Sequence, residues 1–119
     1  MTKRRVLNGL TWLAVAGAAL WLNSTWAQDY ESEIAAQCAE KGCDAGLVTA
    51  VMYCESGGDP DAWHPNPYGG SDVGLFQVND ATWGEVAWAG PWVQIDWATT
   101  MIANGGIGHW WPSQHCWGG

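Results

Sequence analysis

Four cysteines in a chain of 119 residues, Cys38, Cys43, Cys54 and Cys116, constrain the fold more than any other feature. They serve either as two disulfides or as metal ligands. No Cys-x-x-Cys pair occurs, and His64, His109 and His115 form no ligand cluster, so zinc finds no site in the sequence. The compartment decides the rest. Lys3, Arg4 and Arg5 precede an apolar run from Val6 to Leu22, broken by polar residues only at Asn8 and Thr11. Thr25-Trp26-Ala27 then sets small residues on either side of Trp26, ready for a cut after Ala27. This pattern predicts a secretory signal peptide over residues 1–27, and hence a secreted or periplasmic protein. The alternative is an uncleaved anchor, since the run approaches the roughly 20 residues of a spanning helix. Export makes two disulfides the default; three pairings remain open.

Residues 28–119 then form one small domain, too short for a large core and in need of covalent constraint. Three of the four basic residues lie in the leader, so Lys41 alone faces all 12 acids in the remainder. Removing the leader therefore moves the formal charge from −8 to about −11. A phosphate backbone needs Lys and Arg to displace its counterions, so nucleic acid is excluded as a partner. The same shortage argues against a membrane-active toxin and against membrane association after cleavage. A monomer is expected.

Local signals predict a mainly helical domain with a long central loop or short hairpin. A first helix runs from Ser32 to Lys41 and stops at Gly42. Asp44 caps a second, which continues to about Glu55 and closes at Gly57-Gly58-Asp59-Pro60. From Gly57 to Gly74 the chain is rich in Gly, Pro, Asn and Asp and reads as loop. Val73 to Val78 predicts a short extended piece. Asn79 or Asp80 caps a short helix over Trp83 to Trp88, and Asp96 caps a last one from Trp97 to about Asn104. Asp59 and Asp61 resemble the start of a calcium loop, but Trp63 stands at the next ligand position, which ends that reading.

The second helix carries an anomaly. Leu47, Val48, Val51 and Met52 form its apolar stripe, and Glu55 falls on the same stripe, four residues after Val51. A carboxyl group on a buried face is costly unless paired or neutral. Burial would raise its pKa and keep it protonated, as a general acid requires. Glu55-Ser56-Gly57 and the later Gly74-Leu75-Phe76-Gln77-Val78-Asn79 together resemble the lysozyme-like superfamily, which includes soluble lytic transglycosylases and small lysozymes. Cys54 before the Glu, the Trp-rich tail with Cys116, and Gly106 to Trp110 resemble its small secreted bacterial and phage members.

That resemblance implies an α+β lysozyme-like domain acting on peptidoglycan glycan strands, with Glu55 as catalytic acid. It implies the pairing Cys54–Cys116, which leaves Cys38–Cys43. No cofactor is implied, because protonation and charge stabilisation suffice. Asp72 stands after Ser71 in a context similar to the second carboxylate of c-type lysozymes, with Val73 where an aromatic is usual. Asp72 is therefore either a second catalytic carboxylate, in the lysozyme logic of paired acids, or a loop aspartate binding turn amides. Lytic transglycosylases manage with one Glu, and that branch is favoured. Gln77, Asn79, Trp83, Tyr68 and Ser56 are the candidate glycan contacts. Each has a bland alternative: a structural role for Gln77, helix capping for Asn79, core packing for Trp83. Trp110 and Trp111 are expected to pack near Glu55 and exclude water. A non-catalytic glycan-binding module on the same fold is the reading of another class.

Overall fold

The computed structural model describes residues 25–119. The predicted leader lies outside the described residues, except Thr25–Ala27, which open the first helix. Helix α1 spans Thr25–Lys41, longer than the predicted Ser32–Lys41, and ends at Gly42 in the left-handed region. Tyr30, Ile34 and Cys38 recur at helical spacing and are buried, which fixes the inward face of α1. Helix α2, Ala45–Ser56, matches its sequence signals at both ends. The Asp44 carboxylate accepts from the Leu47 amide at 3.2 Å, and left-handed Gly57 closes the last turn onto the Tyr53 carbonyl.

The central excursion folds into a three-stranded antiparallel sheet of β1 (Trp63–Pro65), β2 (Ser71–Val73) and β3 (Val78–Asn79), in the order β1-β2-β3. Trp63 pairs with Val73 and His64 with Asp72, while Asp72 pairs in turn with Asn79. The extended piece predicted over Val73–Val78 is strand only at its two ends. Residues 74–77 form a tight turn with Gly74 at φ 80° and Gln77 at φ 50°. The buried side chain of Gln94 holds this turn. Its Nε2 donates to the carbonyls of Val73 and Ala87, and its Oε1 accepts from the Phe76 amide. A Cβ at position 74 would stand 2.4 Å from Gln94 Nε2, so both backbone conformation and space demand glycine there.

Helix α3, Asp80–Ala87, is capped by Asn79 as one of the two predicted caps. Helix α4 spans Pro91–Ala103, and here the expected start is corrected. Asp96 caps nothing; it lies inside α4 and pairs with Lys41 at 2.9 Å. The true signal was Pro91 at the first helical position after Gly90. Lys41 also reaches Gln37, Thr99 and Thr100, tying the end of α1 to α4. A 3-10 segment, Gly106–Ser113, and a short α5, Gln114–Trp117, carry the tail back to α2. The disulfides are Cys38–Cys43 and Cys54–Cys116, the pairing the resemblance implied. The fold is mainly helical around one core, with Phe76, Val78, Ile95 and Trp110 at its centre. No helix among the described residues is long and apolar enough to cross a membrane.

Candidate active site

Glu55 ends the face of α2 whose earlier turns bury Val48, Val51 and Met52. Its half-buried carboxyl lines a cavity of about 240 Å³ between that helix, the sheet and the tail. Asp72 lines the same cavity from β2, and Trp110, only 2% exposed, walls it from the 3-10 segment. The Trp110 indole N–H donates to the Phe76 carbonyl at 3.0 Å, which locks that wall to the 74–77 turn.

Two hydroxyl and amide networks fix the acids. The Ser113 hydroxyl donates to Glu55 Oε2 and also lies within reach of the Trp110 carbonyl; the Trp117 indole N–H donates to it at 3.1 Å. Burial raises the Glu55 pKa, the Ser113 bond opposes that rise, and the charge of Asp72 adds to it. Asp72 accepts from Asn66 Nδ2 on both oxygens at 3.2 Å and from Asn79 Nδ2 at 3.1 Å. His109 also lines the cavity, its ring against Trp97 and Trp110 at centroid distances of 5.1 and 4.9 Å. Loss of water there lowers its pKa, with Asp72 opposing, so the neutral imidazole is favoured.

The structure separates the remaining sequence candidates. Gln77 lines the cavity, but its amide bonds the carbonyls of Gly74 and Ala62, and its Oε1 meets His64 Nδ1 at 2.8 Å. It therefore holds the hairpin in shape while forming cavity wall. Asn79 lines the cavity too; its oxygen accepts from the amides of Ala81 and Thr82, and its nitrogen serves Asp72 and Gly69. It caps α3 and orients the aspartate with the same amide. Tyr68 is 98% exposed beside a second cavity of about 320 Å³, which shares Asn66 and Asn79 with the first. Ser56 turns away to its own helix, accepting from the Gly58 amide and donating to the Met52 carbonyl. Trp83 does not line either cavity: it packs edge-on against Trp97 at 5.4 Å, among the core side chains. Trp111, expected near Glu55, is 60% exposed and stacks on Trp117 instead.

Asn66, His109 and Ser113 were not foreseen. Asn66 and His109 carry no local signal. Ser113 had one, because bridging Cys54 to Cys116 brings a residue three before the second cysteine close to the neighbour of the first. Removing its hydroxyl is expected to shift the titration of Glu55. Ser113→Ala deletes a bond to the charged form, so the Glu55 midpoint moves to higher pH, whereas Ser113→Thr keeps it. Carboxyl-selective NMR titration measures both; equal midpoints in wild type and the Ala variant would remove Ser113 from the account.

A family model described as a lysozyme-like domain matches residues 32–104. No curated protein and no solved structure matches the chain. The matched span contains Glu55, Asp72, Gln77 and Asn79, whereas His109, Trp110 and Ser113 lie beyond it.

Proposed function

The chain belongs to the lysozyme-like domain family, and from that premise we propose that it cleaves the β-1,4 bond between N-acetylmuramic acid and N-acetylglucosamine, with Glu55 as general acid and then base. Membership supports a peptidoglycan-active, glycoside-cleaving function; the reaction and the residues are our reading. The carrying observation is one carboxyl group whose pKa is raised by burial, set in the wall of a cavity. Protonated Glu55 gives its proton to the glycosidic oxygen as the C–O bond breaks and positive charge grows on the sugar. The resulting carboxylate then takes a proton from the muramoyl sugar's own hydroxyl, which closes an anhydro ring. Ser113 suits both states: it donates to the carboxylate, and turns to the Trp110 carbonyl when Glu55 is protonated. We place the reaction outside the cytoplasm, as the leader-like residues 1–27 and two disulfides support.

One observation favours a second outcome. Asp72 faces the same cavity as Glu55, as the second carboxylate of a hydrolase would. Its three contacts with the amides of Asn66 and Asn79 hold the side chain in place at the cavity wall, where a carboxylate would stabilise positive charge growing on the sugar. Mass spectrometry of released muropeptides separates the outcomes. Anhydro ends are expected; reducing ends would assign hydrolysis. Under the transglycosylase reading Asp72→Asn lowers the rate by less than about tenfold. A loss of ~10²-fold or more would place Asp72 in the chemistry.

A further inference from the structure

The sheet has a second side. Along β1 and β2 alternate residues point to opposite faces, so His64 and Asp72 serve the Glu55 side while Trp63 and Val73 face away. On that far side lies a cavity of about 370 Å³, larger than the one around Glu55. Tyr30 and Val73 are buried in its lining, Trp63 and Trp88 stand in it 53% and 62% exposed, and Asp61 carries the charge. The backbone of Trp63 is fixed in a strand, and the Trp88 ring is held by its indole N–H, which donates to Asp80 at 3.1 Å.

We propose that this aromatic cavity binds a small soluble organic cation of the trimethylammonium class. Two of the polar groups in its lining are already engaged. The Gln94 amide is spent on Val73, Ala87 and Phe76, and the Trp88 N–H is spent on Asp80. To solvent the cavity presents the Asp61 carboxylate and the exposed rings of Trp63 and Trp88, and methylated ammonium needs charge and π-faces but no hydrogen bonds. The charge balance agrees. Asp61 lines the cavity, and besides burial the charges of Asp61, Asp29 and Asp59 all raise the pKa of the Tyr30 phenol. Lys41 is the only Lys or Arg among the described residues and is committed to Asp96. The counter-charge must come from solution. The Asp61 carboxylate repels a ligand with an anion next to its ammonium, which argues for a free cation over a phosphocholine headgroup.

The test is independent of any lytic activity. Choline chloride and its neutral isostere 3,3-dimethylbutan-1-ol are titrated into the purified protein at low salt, followed by tryptophan fluorescence. Choline is expected to bind saturably, roughly tenfold tighter than the isostere, with phosphocholine weaker than choline. Trp88→Ala and Asp61→Asn, both at exposed positions, each weaken choline binding by roughly five- to tenfold. Equal binding of choline and the isostere would reduce the site to an apolar groove. Saturation by N-acetylglucosamine without choline would make it a glycan surface. Sedimentation with phosphatidylcholine vesicles would assign it to a lipid, and no saturation by choline, or unchanged binding in both variants, would overturn it.

Discussion

Glu55→Gln is expected to lose roughly 10²- to 10⁴-fold in peptidoglycan cleavage while the protein stays folded, because a neutral amide of the same shape cannot give up the proton. Clearing of a peptidoglycan suspension measures it, and clearing at the wild-type rate would leave only a glycan-binding module. Stability should move the other way. The Glu55 pKa is raised in the fold, so the protonated form is the one the fold favours. The wild type therefore holds this contribution at low pH and loses it as pH rises through the folded pKa. The Gln variant has no such loss. Its melting temperature should gain on the wild type as pH rises from the ordinary glutamate range through the folded Glu55 midpoint, a trade of stability for chemistry at an acid placed on an apolar stripe.

The second large effect is on folding. Cys54–Cys116 closes a sequence separation of 62, and Cys38–Cys43 one of 5. Loop-closure entropy assigns the long staple ~4 kcal/mol and the short one ~2 kcal/mol. Replacing Cys54 and Cys116 by Ala should lower the melting temperature by roughly 15 °C or more, well beyond the loss from Cys38 and Cys43. The long staple also brackets the site, since Cys54 adjoins Glu55 and Cys116 lies three residues after Ser113. Activity should fall with it even below the melting transition. Calorimetry and suspension clearing on the two double variants decide the matter; equal losses from both pairs would overturn the ranking.

Features governed by short-range physics could be read from the chain. The apolar period of α2, its Asp44 cap and its Gly57 stop were all there, and they carried Glu55 with them. So was the Asn79 cap of α3. The misreadings have physical causes. Val73, Leu75, Phe76 and Val78 have strand composition, yet Gln94, 18 residues beyond Phe76, bends the segment into a turn by satisfying its backbone. Asp96 looked like a cap because its side chain suits one, while its real partner is Lys41, a residue 55 positions earlier. Trp83 had a reasonable motif position, but Trp97 offered it an aromatic face in the core. Half of the candidate site depends on contacts of this range, and no local window contains them.

The bond from Ser113 to Glu55 joins residues 58 apart, and that from Trp110 to the 74–77 turn spans 34. Contacts so distant in sequence form after helices and hairpins, because a large loop must close before they can be made. The setting of the acid, the burial that raises its pKa and the Ser113 bond that opposes the rise, therefore depends on contacts that need long loops to close. A chain that has α2 and the hairpin but not its tail owns the carboxyl group without the setting that makes it an acid.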